Sequence, residues 1–92
     1  MRCTVVWRET ALQQLAEIWM GATDRETVNR AVDNVDAELL DDPDQKGEDY
    51  FGDRYILNSV IWALYHVVPG DLMVHVLQVG RIGIDRPHER AP

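Results

Sequence analysis

The chain has 92 residues, enough for one ordinary domain and too few for two. A chain of this size buries roughly 60–65% of its unfolded surface, which leaves little room to enclose a cofactor. Its 46% hydrophobic and 27% charged residues are the composition of a soluble globular protein. It has no apolar run near the roughly 20 residues of a membrane helix and no charged-then-apolar leader, so no membrane partner is expected. Cys3 is the only cysteine. That excludes an internal disulfide and a cysteine zinc cage, and makes the cytoplasm the expected compartment.

Nine basic and 16 acidic residues give a net charge of −7, and residues 36–53 supply all of it. There Asp36, Glu38, Asp41, Asp42, Asp44, Glu48, Asp49 and Asp53 face Lys46 alone. Nucleic-acid affinity comes mostly from phosphate neutralisation by Lys and Arg, so direct nucleic-acid binding is not expected. The acidic run reads first as a solvated helix end and loop. Its functional reading is a surface for a basic protein partner, with Asp41, Asp42 and Asp44 as contact candidates.

In chain order, Thr4–Trp7 is β-branched and aromatic, which predicts a short strand. Thr10 with Gln13 forms a capping box before Leu12, Leu15, Ala16 and Trp19, an apolar stripe at helical spacing that Ile18 and Ala22 widen. Gly21 is the expected stop. Thr23 with Glu26 is a second capping box, opening a helix whose Val28, Ala31, Val32, Val35 and Leu39 share one face. Pro43 ends it. So short a link between two helices makes them an antiparallel hairpin. Residues 43–53 read as a loop. Arg54–Leu57 is a strand and Asn58-Ser59 a turn. Val60–Val68, apolar on both faces, predicts a central strand. Pro69-Gly70-Asp71 is a hairpin turn, Leu72–Val79 the returning strand, and Gly80 its end. Residues 1–80 then form a single domain, with 81–92 a polar tail. The order β-α-α-β-β-β implies an α+β two-layer sandwich, a helical hairpin packed on a small antiparallel sheet.

Four stretches carry a resemblance to a known family. They are "ETALQQLAEIW" at the first helix, "LLDDP" closing the second with Gly47 after it, "GDRYIL", and "IWALYHVVPGDLMVHVLQVGRI". Their order and spacing over residues 4–82 resemble the RelE/ParE superfamily of type II toxins. The resemblance implies growth arrest, by mRNA cleavage at the ribosomal A site in one branch and by gyrase poisoning in another. It also implies a cognate antitoxin wrapped over the helices and sheet, and a gyrase or ribosome target.

RNA scission needs a base for the 2′-hydroxyl, an acid for the leaving oxygen, and cations for the phosphorane. The family's tyrosine–arginine pair falls on Ile61 and Trp62, while its second tyrosine is kept as Tyr65. The family's paired basic residues after the last strand fall on Arg81 and Ile82, and the upstream lysines are replaced by Arg54 alone. The usual ribonuclease set is therefore absent. The catalytic candidates that remain are Arg54, His75 and Arg81, and none stands out. His66 and His75 sit opposite each other only if the turn spans 69–72; independent strand histidines are the preferred reading. His88 falls in the tail.

Asp42, Asp44, Gly47 and Asp53 match parts of a calcium-loop template. Pro43 and Lys46 break it and no bidentate Glu closes it, so no metal and no cofactor is expected. Cys3 reads as a small buried residue. Trp7 and Trp19 read as core. Trp62 is either a buried filler or an exposed contact. The partner-binding set is then Trp62, Tyr65, Arg54, Arg81, Asp41, Asp42 and Asp44. The reading that follows is a toxin-fold protein acting by protein binding. Its alternatives are an atypical ribosome-dependent mRNA endoribonuclease and a non-toxic interaction module on the same fold. A homo-oligomer through the helices or an edge strand stays open.

Overall fold

The computed structural model describes residues 2–83. The tail proposed for 81–92 lies outside the described residues from position 84 onward, as does His88. The elements are β1 (Thr4–Trp7), α1 (Glu9–Gly21), α2 (Arg25–Leu39), β2 (Glu48–Tyr50), β3 (Asp53–Asn58), β4 (Ile61–Val68) and β5 (Met73–Arg81). One five-stranded sheet runs β1-β5-β4-β3-β2. Two helices pack on one face of it, giving the expected two-layer α+β architecture. The sheet is mixed rather than wholly antiparallel, because β1 lies parallel to β5, with Val5 opposite Val74.

The core is built from the periodic positions. On α2, Val28, Ala31, Val35 and Leu39 are fully buried. They pack with Ile56, Ile61, Ala63, Tyr65, Val74, Val76 and Val79 from the sheet. Each fully buried Val or Leu contributes about 1.5–3 kcal/mol of transfer free energy. Strand β4 is central, and Ile61 through Leu64 are all buried, as its two-sided apolar sequence demands. The β4–β5 register slips between Leu64 and Tyr65: Leu64 faces Gln78 while Tyr65 faces Val76. The extra residue, Leu77, is a bulge that lets both Val76 and Val79 join the helix-side core.

Several local expectations are corrected. Both capping boxes fail: the N-caps are Arg8 and Asp24, and neither makes a side-chain capping bond. The stripe of α1 is shifted within the sequence reading: Ile18 and Ala22 from its margin are buried and Leu15 packs against the core. Ala11 and Ile18 are buried, whereas Leu12 is 52% and Trp19 42% exposed. Trp19 instead lies under the Arg25 guanidinium, 4.7 Å from the ring centroid. Arg25 also donates to the Trp19 and Met20 carbonyls, satisfying the open end of α1. Residues 43–53 are not all loop. Pro43–Gln45 forms a 3₁₀ turn, and Glu48–Tyr50 adds a short edge strand that pairs with β3. Strand β5 continues through Gly80 to Arg81. Trp7 packs against the core as expected, and its Nε1 donates to Asp36 at 3.0 Å. Cys3 is half-buried rather than buried.

Candidate functional site

Alternation along β3 and β4 sorts the sequence-derived candidates onto two sheet faces. Ile61, Ala63 and Tyr65 enter the helix-side core. Trp62, Leu64 and His66 therefore point to the other face, open only in that neither helix covers it, since Trp62 and Leu64 are both 5% exposed. Arg54 pairs with Tyr65 and Arg81 with Ile61. Both arginines accordingly lie on the helix side.

Each of the two is held by backbone or side-chain partners. Arg81 donates two bonds of 3.0 Å to Asp24, in the link between α1 and α2. This bidentate bond holds the Asp24 carboxyl below its ordinary 3.8. Arg54 donates to the Lys46 carbonyl at 2.8 Å and to the Gly47 carbonyl at 3.0 Å. The Tyr65 hydroxyl sits 2.8 Å from the Pro43 carbonyl oxygen and 2.7 Å from that of Lys46, its one proton directed to them. Burial pushes the Tyr65 phenol above its ordinary 10.0, while nearby Arg54 pulls it down. Gly47 completes this clamp at φ +66°, and a Cβ there would lie 2.2 Å from the Tyr55 carbonyl oxygen. Only glycine fits. Lys46 reaches back to the Glu38 carbonyl at 2.6 Å, tying the same segment to the end of α2.

Two of the proposed contact residues are inaccessible in the isolated chain. Tyr65 is 0% and Trp62 5% exposed. Tyr65 is thus a structural anchor rather than a contact surface, and Trp62 a buried filler of the open face. Asp41, Asp42 and Asp44 are exposed as expected. Asp42 adopts a left-handed backbone at φ 46°. With Asp44, Cys3, Pro43, Val67, Pro69 and Leu72 it borders a cavity of about 140 Å³.

The open face carries a row that the candidate set only partly contained. Tyr50 pairs with Asp53 and His66 with His75, and His75 also pairs with Val6. The β4–β5 turn does span 69–72, so the two histidines stand directly opposite. Asp53 and His66 are joined at 2.9 Å through Nδ1. A carboxylate only accepts, so Nδ1 carries a proton, and in the neutral ring Nε2 is left with the lone pair. The Nδ1 of His75 is buried without a hydrogen-bond partner. Asp53 and His66 were missing from the candidates. The signal was the tight turn after Asn58, which pairs Arg54 with Tyr65 and so sets Asp53 beside His66.

No protein-family model and no curated protein sequence matches the chain. Solved structures do. A chain of the RelBE2 toxin–antitoxin complex of Mycobacterium tuberculosis aligns at TM-score 0.70 and 18% identity, over 88% of this chain and 92% of that one. A double arginine-to-alanine variant of E. coli RelE in the free state aligns at 0.62 and 24% identity, over 90% and 86%. A chain of the P. aeruginosa ParDE system aligns at 0.63 and 16%, over 88% and 97%. The fold is that of the RelE/ParE toxins. Within this RelE/ParE-like fold the two helices cover one sheet face and leave the row containing His66 and His75 on the other. No helix among the described residues is long and apolar enough to cross a membrane.

Proposed function

We propose that this protein is a toxin of RelE/ParE type that arrests growth by binding a protein target and is neutralised by a cognate antitoxin. What supports the reading is the fate of the two retained cations. Arg81 is committed to Asp24 and Arg54 to two backbone carbonyls, both on the helix side. Neither is aimed where a phosphorane on the open face would need charge, and each missing donor forfeits about 3–4 kcal/mol of transition-state stabilisation. The acidic stretch around Glu48, Asp49 and Asp53 repels phosphate further.

The test is inducible expression in bacteria with mapping of mRNA 5′ ends. The expected result is slowed growth without new ends, relieved when the adjacent gene is co-expressed and its product co-purifies. New ends within translated codons would establish RNA cleavage instead, and would have to draw on His66 and His75. Unchanged growth at high expression would leave an interaction module.

A further inference from the structure

We propose that His66 and His75 form a transition-metal site on the open sheet face, with Asp53 as the carboxylate behind His66. Three observations carry it. The two histidines are directly opposed on neighbouring antiparallel strands, where Cβ atoms lie about 4.5–5.5 Å apart, within reach of one ion shared by two imidazoles. Asp53 accepts from His66 Nδ1 at 2.9 Å. That bond fixes the tautomer which presents the Nε2 lone pair, the arrangement found behind metal-bound histidines. The Nδ1 of His75 has no hydrogen-bond partner, so no hydrogen bond through that nitrogen commits its ring to another task.

The surroundings select the ligand's charge. Asp53 stands next in the row, and Glu48 lies on the same face of β2. A cation is favoured there and an anion is not. Neutral imidazoles suit zinc, copper and nickel rather than magnesium or calcium. No three His, Cys, Asp or Glu side chains among the described residues are grouped to hold a metal. The protein therefore gives two nitrogen ligands, and water or a donor from a bound partner fills the other positions. Two ligands bind more weakly than the four of a structural zinc site, which places the affinity in the micromolar range.

The proposal is independent of toxicity and is tested on the purified full chain. Zn²⁺ is titrated to about 1 mM by isothermal calorimetry, with ¹H–¹⁵N spectra reporting which imidazoles respond. The expected result is one Zn²⁺ per chain, with both imidazoles shifting and binding lost in His66→Gln and in His75→Gln. Asp53→Asn should weaken it by about 10–100-fold. Unchanged thermal melts without zinc would show that the surface variant His66→Gln is folded. No binding by the unaltered chain, or binding that persists in His66→Gln, would overturn the site. Asp53→Asn binding within twofold of the unaltered chain would remove Asp53 from it.

Discussion

The two faces of the sheet treat their polar side chains in opposite ways. On the helix side, Arg54, Tyr65 and Arg81 each reach a backbone or carboxylate partner fixed by the fold. On the open side, His66 has one carboxylate partner and is half-exposed, and the Nδ1 of His75 has none. A residue's type therefore says less about its role than the side of the strand on which it falls. Arg54 and Arg81, cations by type, are structural ties on the side where they fall.

Substitutions can break that contrast, and the largest effect is expected at the clamp. Gly47→Ala forces a Cβ into the Tyr55 carbonyl at a left-handed position, and should cost about 2–4 kcal/mol in urea unfolding. A neutral result would mean that the 43–47 segment is not pinned to the sheet. Tyr65→Phe leaves the Pro43 and Lys46 carbonyls without their shared donor, for about 1–2 kcal/mol. It should also change the alkaline limb. The Tyr65 phenol is raised above 10.0, so its contribution is complete below pH 10 and fades as pH climbs through the folded value; the Phe variant lacks that loss. Arg81→Met tests the other tie. Asp24 titrates below 3.8 when folded, so the stability it adds is present above that pH and disappears as pH falls through the folded value. Acid unfolding of Arg81→Met should be flatter in that window. The smallest effect belongs to the open face: His66→Ala should change stability by no more than about 0.5 kcal/mol.

Much of the layer arrangement could be read from residue patterns. Val28, Ala31, Val35 and Leu39 repeat at helical spacing because α2 presents one face to a sheet, and the two-sided apolar run of β4 marks a central strand. What escaped was decided by tertiary partners. Leu12 and Trp19 are apolar at the right spacing, yet both are exposed, while Ala11, outside the expected stripe, is fully buried. Strand β2 has a polar sequence and gains its order from pairing with β3. The parallel partner of β1 is invisible locally, because parallel register depends on a distant segment. In the candidate site, residue types were legible but facing was not. Arg54 and Arg81 looked like survivors of a cationic surface until the β4 alternation and the Leu77 bulge turned them towards the helices. The Asp53–His66 contact needed the turn length after Asn58, a one-residue question on which every pairing depends.

The parallel seam has a consequence for how the molecule comes into being. Thr4 rests beside Met73, so the earliest strand synthesised is matched by the latest. At translation rates of about 5–20 residues per second, Thr4 waits about 3–14 s for that neighbour. Until then α1 and α2 can pair with each other but lack the surface that Val74, Val76 and Val79 provide. The nascent protein therefore gains its finished shape only after β5 has been made.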